Sequence, residues 1–416
     1  MAFNSSILTH EFQTFIRSDR ASALLSGGVF ASPFNDISPQ ELATQIKGYR
    51  KALEKLPRLA ARQGIVYPPG VSLEQCSSEA TARYKASLLP EGRRCGNLTG
   101  GFGIDTLALS ERFAQVDYYE TQAELARIAA HNFSVLGADN IAVHSEDGLA
   151  ALETTQAVHS EDGLAALETT QEEYDLIYAD PARRDTHAHR VFSVADCTPN
   201  IASAKDLLLS RSRRLLIKLS PMLDIAATLR IFPQTSQVHV VAVRNEVKEL
   251  LLVIERGFCG QAVCYAADLY PGREDHIFSG KLSAASPAPP VSAPEAYLYD
   301  PSAALRKAGL ADAYGLSAGL SKLHPSTGLY TSPQHIEGFQ GRVFRTLGTV
   351  NRKNIEEYFP QRRASVVTRN YPAAAASLAK DFRLKDSERM FLIAFRDDRN
   401  RPHLLAAERV DLPSGE

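Results

Sequence analysis

Tryptophan is absent from the 416 residues, methionine occurs three times and cysteine five. The cysteines (Cys76, Cys95, Cys197, Cys259, Cys264) are odd in number and scattered, and none forms a CxxC pair. That argues against a zinc site and against a disulfide framework. No apolar run approaches the roughly 20 residues of a membrane helix, so no membrane partner is expected. The N-terminal MAFNSSILTHEFQTF lacks a basic region followed by an apolar core, so a secretory signal is not expected. A reducing, cytoplasmic location is the expectation. An excess of one charge is lacking as well: 46 Lys and Arg face 48 Asp and Glu, a net of −2. Any nucleic acid must therefore meet a local patch. What is present is 44% apolar and 23% charged, with 18 Phe and 15 Tyr, which excludes wholesale disorder. At roughly 100–200 residues per domain, the length allows two to four domains.

The patterning divides the chain into four parts. Residues 1–90 read as a helical domain. Within Ser38–Leu56, Leu42, Ile46, Tyr49, Leu53 and Leu56 recur at three- and four-residue spacing. Ser38-Pro39-Gln40-Glu41 suits a helix start and Pro57 a stop, and a second helix is expected over 72–89. Residues 91–280 alternate short apolar runs with helical segments. The expected strands are Arg94–Leu98, Gln115–Tyr119, Asn140–Val143, Leu176–Ala179, Arg214–Lys218, Val238–Val243 and Glu249–Glu255, which implies βαβ units and a largely parallel sheet. Residues 281–340 open with a Pro-, Ser- and Ala-rich linker (281–294) leading to a small module. Residues 341–416 form a mixed α/β tail with 15 Arg or Lys against 10 Asp or Glu, a net of +5, so the rest of the chain carries −7.

Ala142–Gln156 (AVHSEDGLAALETTQ) is repeated without change as Ala157–Gln171. Two identical copies are too few for a solenoid and read as an insertion by duplication. The first copy completes the strand ending Ile141-Ala142-Val143; the second keeps the junction to Glu172.

The sharpest local signal is Cys95-Gly96-Asn97-Leu98-Thr99-Gly100-Gly101-Phe102-Gly103-Ile104-Asp105, at a strand end and opening into a helix. Glycines there let backbone approach a ligand closely. Seventeen residues after Gly103, Glu120 ends the next apolar strand, where a carboxylate can accept from both hydroxyls of a ribose. No Gly-Lys-Ser/Thr follows and Gly-x-Gly-x-x-Gly is not matched, so ATP and nicotinamide cofactors lose ground.

This spacing resembles motif I of class I S-adenosylmethionine-dependent methyltransferases. The whole chain resembles the bacterial members that carry a C-terminal THUMP-like domain. The stretches that carry the resemblance are Leu73–Glu79, Leu98–Asp105, Tyr178–Arg184, Lys218–Asp224, Asn245–Leu250, Tyr297–Pro301, Lys322–Pro325, Phe339–Phe344 and Thr368–Pro372. The resemblance implies an α/β fold: a Rossmann-like doubly wound sheet with an N-terminal helical domain and C-terminal α+β ferredoxin-like and THUMP-like modules. It implies S-adenosylmethionine as cofactor, bound through Asn97, Thr99, Gly101, Phe102, Gly103, Asp105, Glu120 and Asp147. Asp162, the twin of Asp147, is the alternative partner for the adenine amino group. The family pattern has Asp where this chain has Asn97, which removes a charge facing the cofactor's ammonium; weaker cofactor affinity is the consequence expected.

Asp180-Pro181-Ala182-Arg183 follows the strand Leu176–Ala179 and falls at the carboxyl edge of the sheet. It matches motif IV of enzymes that methylate exocyclic amino groups of bases, with Ala182 in place of the second proline and Arg183 in place of the aromatic. Asp180, Pro181 and Arg183 are the catalytic candidates, with positioning as the expected device. Lys218 suits either a substrate phosphate or a structural role, and Cys197 reads as a buried small residue. Thr186-His187-Ala188-His189 has no further ligands around it in sequence, and no metal is expected.

In the tail, Arg362, Arg363, Arg369, Lys380, Arg383 and Lys385 lie among Tyr358, Phe359, Tyr371 and Phe382, a mixture that suits RNA. The reading is an S-adenosylmethionine-dependent methyltransferase acting on a base nitrogen in RNA. The rivals are a non-catalytic RNA-binding protein that keeps the fold and methyl transfer to a small molecule.

Overall fold

In the computed structural model, residues 4–26, 31–161, 173–183, 194, 197–281 and 287–410 are described. The chain divides into two units, Met1–Ser236 with Leu251–Gly260, and Gln237–Leu250 with Gln261–Glu416.

The first unit opens with helices α1 (His10–Phe15), α2 (Asp19–Ser26), α3 (Pro39–Lys55), α4 (Pro57–Ala60), α5 (Gly70–Gln75) and α6 (Glu79–Ser87). At the start of α3, Ser38 Oγ accepts the Glu41 N–H at 3.2 Å and the Glu41 carboxylate accepts the Ser38 N–H at 2.9 Å. This reciprocal box satisfies donors that the helix leaves open, and the bonds from Ser38 hold the Glu41 carboxyl below its ordinary range. Leu42 and Ile46 are buried as their spacing predicts, but Leu53 is 51% exposed and Ala52 takes the inward place. Pro57 both stops α3 and begins α4. The single helix expected over 72–89 is instead two. Ser78 leaves the helical path to cap α6, its Oγ accepting the Thr81 N–H at 3.2 Å.

Strands β1 (Gly92–Asn97), β2 (Phe113–Tyr119), β3 (Ile141–His144), β4 (Tyr174–Ala179), β5 (Ala182–Arg183), β6 (Cys197–Thr198), β7 (Ser212–Leu219), β8 (Thr235–Val243) and β9 (Glu246–Glu255) follow. They alternate with α7 (Ile104–Ser110), α8 (Ala123–Leu136), α9 (Gly148–Glu161), α10 (Ile201–Arg211) and α11 (Ile225–Ile231). Every expected strand is present to within a few residues. The order β7-β4-β1-β2-β3 is parallel throughout, and β9 lies next to β7. The chain therefore runs outward from β1 to β3 and then returns to the other side of β1 at β4. In an open α/β sheet, the crevice beyond the carboxyl ends at such a reversal is where ligands bind. The N-terminal helices share a core with the sheet domain, in which Phe12, Leu42 and Ile46 pack with Phe102, Ile104, Ala108 and Ile128.

The duplicated block shows tertiary context overriding local sequence. Ala142–Glu146 (AVHSE) forms the end of β3 and a bend, whereas the identical Ala157–Glu161 lies in α9.

In the second unit, β8 pairs in parallel with β10 (Val263–Leu269), which pairs with β11 (His276–Lys281). A seven-stranded sheet is built from β12 (Tyr297–Pro301), β13 (Ser321–His324), β14 (Thr327–Ser332), β15 (Gly341–Thr349), β16 (Ser365–Arg369), β17 (Met390–Arg396) and β18 (Pro402–Arg409). Its order is β13-β14-β12-β15-β18-β17-β16, with α12 (Ala303–Lys307), α13 (Ala311–Ser317), α14 (Ile355–Tyr358) and α15 (Ala375–Asp381) between strands. The two C-terminal modules thus share one sheet and one core, where Leu298, Leu323 and Leu329 pack with Phe344, Val367 and Phe391. Part of the Pro-rich stretch docks on that sheet: Lys322 N–H donates to Pro290 O at 2.7 Å and Ser292 N–H to Lys322 O at 2.9 Å. Residues 282–286 lie outside the described residues.

Candidate active site

The glycine loop is fixed by its neighbours from four sides. Gly100 N–H donates to Tyr119 O at 2.7 Å, and a Cβ there would meet Tyr118 Cε2 at 2.3 Å. Gly101 has φ +58°, a conformation costly for side-chain-bearing residues, and a Cβ there would make only an ordinary contact with Thr99 O at 3.9 Å. Its N–H donates to Glu120 Oε2 at 2.8 Å and its carbonyl accepts the Tyr118 hydroxyl at 2.5 Å. Gly103, at φ +85°, lets Phe133 approach. Phe102 turns away into the core shared with the N-terminal helices.

Glu120 stands at the end of β2. Its Oε2 takes the Gly101 N–H and its Oε1 takes the Gln122 N–H, both at 2.8 Å. Oε1 also accepts the Thr121 hydroxyl at 3.4 Å; two carboxylate oxygens offer about four acceptor positions, so one remains for a ribose hydroxyl. Asp147 follows β3 and is exposed; its Oδ1 accepts the N–H groups of Leu149 and Ala150, at 2.9 and 3.2 Å, at the start of α9. Asp162 lies outside the described residues.

Asn97 is buried, and its carboxamide is spent on the loop itself. Oδ1 accepts the Thr99 N–H at 3.0 Å, and Nδ2 donates to Thr106 Oγ1 at 2.8 Å. Its place is under the loop, as a brace between β1 and α7.

Asp105 belongs to a polar cluster that the sequence pattern did not reveal. Its Oδ2 accepts the hydroxyls of Ser77 and Tyr178, each at 2.8 Å, and Lys85 Nζ lies 3.2 Å from Oδ1. Lys85 is 1% exposed and also donates to Ser77 Oγ at 2.9 Å. Burial pushes the Asp105 carboxyl up, but Lys85, Lys218 and the two hydroxyls outweigh it, and the pKa lies below the ordinary value. Ser77 and Lys85 come from the helical domain, through the break between α5 and α6. Ser77 lies in the stretch Leu73–Glu79 that carries the resemblance, but nothing in the sequence pointed to Lys85.

Asp180 stands at the carboxyl end of β4, across the reversal from the glycine loop. Its N–H donates to Thr99 Oγ1 at 2.7 Å, and its Oδ2 pairs with Lys218 Nζ at 2.5 Å. Lys218 lies on β7 and Thr99 follows β1, so three strand ends meet at Asp180. The Asp180 side chain remains 34% exposed. Burial raises its pKa above the ordinary value, against the pull of Lys218, and the charge on Asp105 adds to the rise. Pro181 is buried, and Arg183 pairs through its backbone with Cys197, which is itself buried. The Arg183 side chain, Arg184, His187 and His189 lie outside the described residues. Among the described residues, no helix is long and apolar enough to cross a membrane and no disulfide is formed.

Comparison with known proteins places this architecture. Residues 297–339 match a ferredoxin-like domain family and residues 341–409 a THUMP domain-like family. A solved structure named as a "putative methyltransferase" from Porphyromonas gingivalis W83 is similar over 99% of this chain and 100% of that one, with 28% identity and a TM-score of 0.80. An rRNA methylase from Streptococcus thermophilus is similar over 42% of this chain and 94% of its own, with 16% identity and a TM-score of 0.29. A SAM-dependent methyltransferase from Agrobacterium tumefaciens covers 49% of this chain and 58% of its own, with 16% identity and a TM-score of 0.30. Those two likenesses are too slight to carry an argument. No curated protein matches the sequence. The chain has a mixed α/β methyltransferase fold with C-terminal ferredoxin-like and THUMP-like domains.

Proposed function

We propose that this chain is an S-adenosylmethionine-dependent methyltransferase that acts on a base nitrogen in RNA. The observation that carries the reading is the meeting of Thr99, Asp180 and Lys218 beyond the carboxyl ends of β1, β4 and β7, beside a glycine loop braced by Glu120. The end-to-end likeness to the Porphyromonas gingivalis protein supports it.

The residues present fit the cofactor. Glu120 keeps an acceptor position for a ribose hydroxyl, the exposed Asp147 carboxylate would meet the adenine amino group, and Gly101 has no side chain to crowd the cofactor. When bound, the cofactor supplies an electrophilic methyl on its sulfonium. Asp180 does the positioning. Lys218 holds Oδ2 and Thr99 fixes the backbone, which leaves Oδ1 to accept an N–H of the target amine and aim its lone pair. The nitrogen gains the methyl and sheds a proton. Asp180 is then the adjacent base, with a pKa raised toward that task by burial. The THUMP-like domain argues for RNA as the substrate, and a cytoplasmic setting goes with that substrate.

The test is transfer of labelled methyl from S-adenosylmethionine to bulk RNA. The wild type transfers; Asp180→Ala does not, while still binding S-adenosylhomocysteine. A second reading, an RNA-binding protein that has kept the fold without catalysis, is favoured by Asn97, whose carboxamide is committed to Thr99 and Thr106. It predicts RNA binding without transfer.

A further inference from the structure

Several motifs singled out in the sequence play no part in the site above. These are Tyr297–Pro301, Phe339–Phe344 and Thr368–Pro372, which lie far apart along the chain. The fold brings one charged residue from each to a single point. Asp300, on β12, is 1% exposed. Across the strand pair, Arg342 on β15 reaches its Oδ2 with Nη2 at 2.6 Å and Nε at 3.2 Å. Arg369, at the end of β16, donates from Nε to Oδ1 and from Nη2 to Oδ2, both at 3.0 Å. Arg306, on α12, adds a bond from Nη1 to Oδ1 at 2.9 Å.

One carboxylate thus faces three guanidinium groups. Arginine stays charged at any physiological pH, so the cluster carries a surplus of two positive charges. Arg306 also donates to Pro301 O and Arg369 to Thr368 O. The side chains of Arg306, Arg342 and Arg369 remain 32%, 25% and 24% exposed. Their positions are fixed from behind. Gly341 lets β15 pass so close to β12 that a Cβ would stand 2.3 Å from Asp300 O, and the Arg342 guanidinium lies 5.6 Å from the Phe344 ring centre. A buried acid that needed only neutralising would be served by one arginine. Three planar forks held rigid, partly exposed and under-compensated make a cradle for an oxyanion with several acceptor oxygens.

The tail aromatics do not supply the rest of an RNA surface. Phe359 and Phe382 are buried in the tail's own core, and Tyr358 and Tyr371 pack against it.

We infer that Arg306, Arg342 and Arg369, gathered on Asp300 where the ferredoxin-like and THUMP-like domains join, form a phosphate-binding site that takes a backbone phosphate of the RNA substrate. The inference rests on the RNA reading above and adds the residues that engage the strand. A phosphate contact positions the nucleic acid without reading its sequence, and it releases a counterion. The cluster therefore contributes to affinity and to salt dependence, and not to base choice.

The experiment is bulk tRNA binding across a salt series for the full-length wild type, Arg306→Gln, Arg369→Gln and, as a charge-matched control, Lys353→Gln. Calorimetry with inorganic phosphate is run on the same proteins. Each glutamine variant leaves Asp300 two arginines, and thermal unfolding confirms the fold; Arg306, the most exposed of the three, carries the test if Arg369→Gln is unstable. The expected result is several-fold weaker tRNA binding for both arginine variants, with the slope of log affinity against log salt reduced by roughly one, and little change for Lys353→Gln. If wild type binds tRNA and the arginine variants match it, the inference is overturned and the RNA reading stands. If wild type binds no RNA at low salt, the RNA reading falls and the inference with it. Inorganic phosphate binding that is lost in Arg306→Gln, with tRNA affinity unchanged, would overturn the assignment to RNA and leave a site for a free anion.

Discussion

The hydroxyl oxygen of Thr99, in the loop after β1, accepts the backbone N–H of Asp180, in the turn after β4, at 2.7 Å. The two residues lie 81 positions apart and on opposite sides of the reversal in the sheet. One hydrogen bond thereby ties the loop proposed to hold the cofactor to the turn proposed to hold the substrate.

Thr99→Val keeps the shape of the side chain and removes the acceptor. The stranded N–H is expected to cost about 1–3 kcal/mol. Methyl transfer should fall more steeply than S-adenosylhomocysteine affinity, because the turn loses its register with the loop. Urea unfolding and the two functional measurements check this together. Equal losses in binding and transfer would place Thr99 in the cofactor pocket alone.

Lys218 draws the Asp180 pKa down against the effect of burial. Lys218→Met is expected to raise that pKa further. Transfer that needs ionised Asp180 should then lose its acid limb at higher pH than in the wild type, as a pH–rate profile would show. An acid limb that stays put would mean that Asp180 does not titrate in the rate-determining step.

Lys85 is buried against Asp105 and Ser77. Removing one partner of a buried pair leaves the other charge uncompensated, at a cost of about 3–5 kcal/mol. Lys85→Met should lose that much by urea unfolding, and Lys85→Met with Asp105→Asn should recover most of it. Failure of the second substitution to rescue would show that Lys85 acts through packing rather than charge.

His239, on β8, is buried, stacks on Tyr265 at 4.5 Å and contacts Gln237 at 3.0 Å. Burial lowers its pKa from 6.5 to about 3. The unfolded chain takes up a proton below about pH 6.5 that the folded chain refuses until about pH 3, so stability should fall as pH drops through that window. His239→Phe should flatten the acid slope of stability measured by denaturant titration between pH 7 and 4. An unchanged slope would assign the acid sensitivity to carboxylates elsewhere.

The parallel sheet was legible because its strands are continuous apolar runs bounded by turn residues, and with it the places of Glu120 and Asp180 at strand ends. The break after α5 was not. Cys76-Ser77-Ser78 lies inside a helical period, and only the capping bond from the Thr81 N–H to Ser78 Oγ reveals it. Ser77 and Lys85 consequently reach Asp105 from a domain that gave no sign of chemistry. Asn97 was legible as a departure, but its inward turn toward Thr106 depends on a helix residue nine positions on. The arginine cluster could not be read at all, since Asp300, Arg342 and Arg369 are joined only by strand pairing and sheet order.

The most direct test of the account is calorimetric binding of S-adenosylhomocysteine to the wild type, Glu120→Ala and Glu120→Gln, with thermal unfolding to confirm that each is folded. The account predicts micromolar binding by the wild type, binding lost in Glu120→Ala and weakened in Glu120→Gln. A folded wild type that fails to bind at millimolar ligand, or Glu120 variants that bind as tightly as the wild type, would contradict it.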